Sequence, residues 1–225
     1  MPLFELDSSQ HIDMLRDRRS RWARSLPVRA ARAVAREFGR GAVYGIEWGD
    51  PDVWDPLRFV RDRYVLPFVK PDQIAVEIGP GGGRWTRYLL GFKTLYAVEY
   101  YDALIAEFEK TYGRNDRVKV IKNNGTDFPG IPTSSVDYVF SFGCFVHLSR
   151  SLITNYIANI KTILKPRGNA VIHYSDKTKI MAQLNNGFSD NTPDAMRKLV
   201  TDTGCRITAE DTTTMWHSSI IQFTR

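Results

Sequence analysis

The chain has 225 residues, enough for one domain with a sizeable core, and 43% hydrophobic and 12% aromatic content excludes a disordered or fibrous chain. No apolar run reaches the length of a bilayer span, two distant cysteines (Cys144, Cys205) make no disulfide framework, and the start MPLFELDSSQ lacks a secretion pattern, so the cytoplasm is the expected compartment. The net charge of +6 would suggest a nucleic-acid partner if it were spread along the chain.

It is not spread. Residues 16–40 hold nine arginines against Asp17 and Glu37, whereas residues 41–225 carry 22 bases against 20 acids, so no nucleic-acid partner is expected for the body. The arginines interleave with Leu15, Trp22, Leu26, Val34 and Phe38 at roughly helical spacing, and Pro27 divides the stretch into two short helices. Three roles stay open for this stretch: a solvated helical face packed on the body, a basic surface for an anionic partner or membrane, or a homodimer contact.

From residue 41 the pattern alternates. GRGAVYG reads as a loop, and Asp55-Pro56 as the N-cap and first residue of a helix through LRFVRDRYVLPFV. QIAVEIG is a buried strand, and the helix WTRYLL follows a run of glycines. Strand TLYAVEY, helix DALIAEFEKTY, strand VKVI, strand VDYVFSF and helix SRSLITNYIANIKTIL come next. KPRGN ends that helix, and AVIHYS is a fifth strand. Helix PDAMRKLVTDTG and strands RITAED and HSSIIQF complete the chain, the last two close enough to be antiparallel. This order predicts an α/β fold: a Rossmann-like, doubly wound, seven-stranded sheet, mostly parallel with an antiparallel last strand, spanning 70–225. An N-terminal helical extension and substrate flap is expected over 1–69. The ligand of such a sheet lies beyond the carboxyl ends of its strands.

At the first such end stands EIGPGGGRW. Glu77, Gly79, Gly81 and Gly83 lie where the strand turns into its helix, so the chain can bend sharply and offer bare backbone to a ligand. A phosphate-cradling loop would end in Gly-Lys-Ser/Thr, and this one has Gly83-Arg84-Trp85. A dinucleotide fingerprint would place glycine at 84. The remaining class is S-adenosylmethionine. The motif acid-x-Gly-x-Gly-x-Gly resembles that of the class I methyltransferases, and the resemblance covers residues 70 to 225.

That resemblance implies the rest of the cofactor site. Glu99, 20 residues after Gly79, ends the second strand where the family binds the ribose, followed by Tyr100. NNGTD falls where the family contacts the adenine, with Asn124 at a corner often held by aspartate and Gly125 beside it. Asparagine can still accept and donate there, and a plain turn is the alternative for Asn124, Gly125 and Asp127. SFGCFVHL, with Ser141 and Phe142, lies where the family's chain passes the methionine moiety, and LKPRGNAVIHY looks like its LKPGG turn and fifth strand.

Acceptor chemistry must come from other residues. A methyl sulfonium is already activated, so the protein aligns a nucleophile and, for a hydroxyl, removes its proton. His147 follows the fourth strand, His173 ends the fifth and His217 begins the last, so three histidines converge on one mouth. His147 is the first candidate for general base, with His173 its rival, and His217 a substrate contact. A magnesium requirement would draw on Asp176. GIEWGDPDVWDP packs Trp48, Trp54, Asp50, Asp52 and Asp55 into a short loop, and aromatic faces beside carboxylates suit a sugar, with Trp216 as a further wall. The motifs also resemble bacterial methyltransferases associated with saccharides. The expected activity is O-methylation of a saccharide hydroxyl, with a phenolic or macrolide-like metabolite as the alternative acceptor.

Overall fold

The structure is a computed structural model that describes residues 49–225. The arginine-rich stretch 16–40, its expected helices and Trp48 lie outside the described residues.

Seven segments pair into one sheet: β1 (Ile74–Ile78), β2 (Thr94–Glu99), β3 (Val118–Lys122), β4 (Val136–Ser141), β5 (Leu164–Ser175), β6 (Arg206–Asp211) and β7 (Ser218–Thr224). Their order is β3-β2-β1-β4-β5-β7-β6. The first five are parallel, and β7 runs antiparallel to both β5 and β6. The expected sheet is therefore present. The chain winds outward from β1 through β2 to β3, then restarts beside β1 with β4, so the strand order reverses between β1 and β4. A ligand crevice is expected outside that point.

Alternation along the strands builds a core on each face. Val76, Ile78, Val139 and Ile172 point to one side, where α4 (Arg150–Ile163) lays down Ile153, Ile157 and Ile160 and α6 (Pro193–Asp202) adds Met196 and Val200. Ala75, Tyr138, Phe140 and Val171 point to the other side, against Leu57 and Val60 of α1 (Asp55–Val60) and Leu89 of α2 (Thr86–Leu89). Farther along the sheet, α3 (Asp102–Tyr112) places Phe108 and Tyr112 on Ala97. Ser149 caps α4 by accepting from Leu152 N, and Thr192 caps α6 by accepting from Ala195 N.

Several expectations need correction. Trp54, not Asp55, occupies the cap position of α1, and Asp55 sits in the first turn paired with Arg58. The helix does not continue to Val69. After Val60 it loosens into a π-turn over Arg61–Val65 and tightens into a 3-10 turn over Leu66–Phe68, because Pro67 has no amide to donate and clashes with the preceding turn. The segment KPRGN is no turn but the first half of β5, with Arg167 in a left-handed conformation at φ 68°. A short helix, α5 (Ile180–Gln183), stands where none was expected. No helix among the described residues is long and apolar enough to cross a membrane.

Candidate active site

The glycine turn follows β1. Gly79, Gly81 and Gly83 all take positive φ (66°, 57° and 90°), which favours residues without a Cβ. Gly79 N–H donates to Val98 O at 2.9 Å, and a Cβ on Gly79 would lie 2.7 Å from Cys144 Cβ. The demand at Gly83 has a packing cause. A Cβ there would stand 2.1 Å from the Tyr112 ring, whose hydroxyl donates to Gly83 O at 3.1 Å. Gly79 has a packing cause as well, since a Cβ there would also stand 2.9 Å from Cys144 Sγ.

Glu77, one residue before the strand end, is buried and accepts from Thr86 Oγ1 at 2.6 Å. Burial pushes its pKa up to about 7, against the opposing pull of Thr86 and of the Arg84 guanidinium. The native state therefore keeps a proton that the unfolded chain releases, so the contribution of Glu77 to stability is fully present below about pH 4.5 and is lost as pH rises through about 7. The shift corresponds to about 3 kcal/mol lost across that window. Glu77→Gln should remove this slope. Urea midpoints for both proteins between pH 4.5 and 8 check it, and a pH-independent difference between them would contradict a raised Glu77.

At the end of β2, Glu99 Oε1 accepts from the amides of Tyr100 (2.8 Å) and Tyr101 (3.1 Å), and the Gly81 amide also bonds its carboxylate. Glu99 is 6% exposed, and burial raises its pKa. The structure thus brings Glu99 directly onto the glycine turn. Tyr100 is part-exposed, stacks edge-on against Tyr101 and lies beside Gly125, whose φ is 104°. Asn124 fits the turn alternative. Its Oδ1 accepts from the amides of Thr126 (3.1 Å) and Asp127 (3.3 Å), while its own amide donates to Asp127 Oδ1 at 2.8 Å. Ser141 is fully buried and donates to Ile78 O at 2.9 Å, locking the ends of β4 and β1 together. Phe142 lies flat on the His173 ring, with centroids 3.9 Å apart and planes 6° apart, and also touches Trp85.

The three histidines do converge. The Phe188 ring stands between His147 (5.6 Å) and His217 (5.0 Å), and His217 lies 6.2 Å from His173. Their chemistry differs. His147 Nδ1 bonds Gly187 O at 2.7 Å; a carbonyl only accepts, so the proton of the neutral ring sits on Nδ1 and Nε2 is the basic nitrogen. His173 is 3% exposed, its Nδ1 accepts from Gly143 N–H at 3.1 Å, and Nε2 then donates to Ser218 Oγ at 2.6 Å. Burial holds its pKa well below the usual imidazole range. Both nitrogens of the rival base are thus engaged, Nδ1 with the turn after β4 and Nε2 with the first residue of β7. His217 is also pushed down, first by burial and then by the Lys179 ammonium, and its buried Nδ1 has no hydrogen-bond partner.

The front loop departs from expectation. Asp50 pairs with Arg87, and Asp52 with Arg61 at 2.5 Å and Arg87 at 3.2 Å. Both carboxylates are thus held in ion pairs with arginines. Trp54 stays half-exposed over Gly49. Asp176 does not suit magnesium: Oδ1 accepts from Thr178 N and Oγ1, and Oδ2 from Ser219 Oγ at 2.6 Å. Among the described residues, no group of three or more His, Cys, Asp or Glu side chains could hold a metal ion.

Sequence reasoning passed over two contributors. Arg84 is buried, donates to Gly49 O at 3.3 Å and lies over the Phe142 ring at 5.6 Å, yet it served only to exclude other ligand classes. The stretch 177–191, which supplies Gly187 and Phe188, received no role. Its signal was the turn-rich NNG following an uncapped apolar run.

Comparison with known proteins agrees with this geometry. Residues 76–172 match the family model described as a methyltransferase domain. No curated protein matches the chain in sequence. Among solved structures, an S-adenosylmethionine-dependent methyltransferase from Mesorhizobium loti is similar at TM-score 0.64 and 12% identity, covering 77% of this chain and 99% of that one. One from Aquifex aeolicus gives TM-score 0.55 and 16% identity over 77% and 90%. Geranyl diphosphate C-methyltransferase from Streptomyces coelicolor A3(2) gives 0.60 and 12% over 75% and 79%. The stretch from β1 into β5 thus matches a methyltransferase domain, and the sheet around it has the fold of the class I S-adenosylmethionine-dependent methyltransferases.

Proposed function

We propose that this protein is an S-adenosylmethionine-dependent O-methyltransferase acting on a saccharide hydroxyl, with His147 as general base. The bond from His147 Nδ1 to Gly187 O carries the reading, because it makes Nε2 a base in the shared mouth of the three histidines.

The residues fit the cofactor. Gly79 and Gly81 present backbone without side chains, and Glu99 stands on the glycine turn with acceptor capacity beyond the two amides at its Oε1. Tyr100 and Gly125 flank the expected adenine position, and Phe142 the methionine. Bound S-adenosylmethionine would supply an activated methyl group. His147 Nε2 would accept the proton of the attacking hydroxyl, while Gly187 O holds the ring and stabilises the imidazolium through Nδ1–H. His217, with an unpartnered buried nitrogen, would bond a neighbouring hydroxyl, and Trp54 would stack on a sugar face. The aromatic wall of Phe142 and Phe188 favours the second reading, a phenolic or macrolide-like acceptor.

Methyl transfer from labelled cofactor to a panel of neutral sugars, phenols and macrolides decides between them. Transfer to a sugar hydroxyl, insensitive to added salt, is the expected result; transfer only to phenols would replace it, and transfer to RNA that salt suppresses would overturn both.

A further inference from the structure

Residues 176–191 leave the sheet edge after β5 and return to it as a braced lobe. Lys177 Nζ donates to Ala182 O (2.8 Å) and Asn185 O (3.3 Å), Asn185 Oδ1 accepts from Gly187 N (2.9 Å), and Ser189 N donates to Val146 O (2.8 Å). Lys179 Nζ donates to Met215 O (2.8 Å) and Ser218 O (2.6 Å), which fastens α5 to the loop carrying Trp216 and His217.

The two sides of this lobe differ. On the inner side, Gly187 O holds His147, and Phe188 stands between His147 and His217. On the outer side, Ile180 (71% exposed), Met181 (54%) and Leu184 (74%) face solvent, and Trp216 (73%) stands on the loop that Lys179 fastens to the start of α5. Only one other large hydrophobic among the described residues, Val53, is more than half exposed. Residues 180–189, IMAQLNNGFS, contain no charge in a chain that is 25% charged. Lys177 and Lys179 direct their ammonium groups to backbone carbonyls of the lobe and of Met215 and Ser218.

Four such side chains expose on the order of 400–600 Å² of apolar surface, the scale of a functional patch on a monomer. A stable dimer needs about 800 Å² on each partner. The patch is too small for that, but it suits a single aliphatic chain, and it adjoins the His147 side of the same lobe. We infer that the acceptor carries an aliphatic chain, which lies on Ile180, Met181, Leu184 and Trp216 while its hydroxyl head reaches His147. This rests on the reading that His147 faces the acceptor hydroxyl.

The test compares methyl and octyl glycosides of one sugar, the octyl compound below its micelle concentration, as ligands in calorimetry and as acceptors. Buried methylenes favour the longer compound, so the octyl glycoside should bind roughly 10- to 100-fold more tightly than the methyl one. Leu184→Asp and Ile180→Asp change exposed positions and should leave folding intact. Each should remove most of that advantage, without altering S-adenosylmethionine affinity or methyl glycoside binding. Equal binding of the two glycosides to the wild type overturns the proposal. So does a loss of dimer in Leu184→Asp on size-exclusion chromatography, which would make the patch a contact between copies. Lobe-dependent octyl binding without methyl transfer would uphold the chain site and refute the sugar-hydroxyl reading instead.

Discussion

Replacing His147 with alanine should lower turnover by about 10² to 10⁴-fold, the usual contribution of a positioned general base, while S-adenosylmethionine should still bind. A sugar hydroxyl is too weak an acid to ionise unaided near neutrality, so losing Nε2 raises the barrier without touching the glycine turn or Glu99. The acid limb of the wild-type pH–rate profile, where the imidazole becomes protonated, should vanish in the variant. His173→Ala is the comparison. Its nitrogens hold Gly143 N–H and Ser218 Oγ, and its face supports Phe142, so that change should lower stability and cofactor affinity together. Steady-state kinetics and cofactor calorimetry on both variants separate the roles. Full turnover in His147→Ala with loss only in His173→Ala would reverse them.

That contrast shows where sequence reading stops. The strands and α3 were legible because burial marks the local sequence: short, mainly apolar runs over Ile74–Ile78 and Val136–Ser141, buried on both faces, and a helical repeat over Asp102–Tyr112. Residues committed through distant partners were not legible. Gly83 looks like a ligand glycine until Tyr112, at the end of α3, is found against it. His173 looks like a base until Ser218 of another strand takes its Nε2, and Asp50 looks open until Arg87 pairs with it. Local pattern also misjudged KPRGN, because proline and glycine usually break structure. Here Lys165 extends β5 with its ammonium on the Asp137 carboxylate, and β7 pairs along the strand from Asn169. The residues proposed for the cofactor stand at strand ends, whose order the chain dictates, so their grouping was legible. Those proposed for the acceptor depend on long-range pairings and on a lobe with little periodicity.

Glu99→Ala should weaken S-adenosylmethionine binding by about 10- to 150-fold, the equivalent of roughly 1.5 to 3 kcal/mol for hydrogen bonds to a charged acceptor. The carboxylate is buried at the carboxyl end of β2, and Oε1 already serves the amides of Tyr100 and Tyr101. Its remaining acceptor sites are what two adjacent ribose hydroxyls need. The substitution also strips those amides of a partner, so the variant should lose stability as well, by about 1 to 3 kcal/mol. Affinity must therefore be measured where circular dichroism shows the variant folded. Glu99→Gln separates the effects, because an amide oxygen can still accept from the backbone while the amide nitrogen cannot accept from a hydroxyl. Its stability should lie near wild type and its affinity well below. Burial raises the Glu99 pKa, so the ionised form is lost earlier on acidification than for an ordinary carboxylate, and wild-type affinity should fall as pH drops, with neither variant sharing that dependence. Unchanged calorimetric affinity in a folded Glu99→Ala protein would move the ribose away from the end of β2.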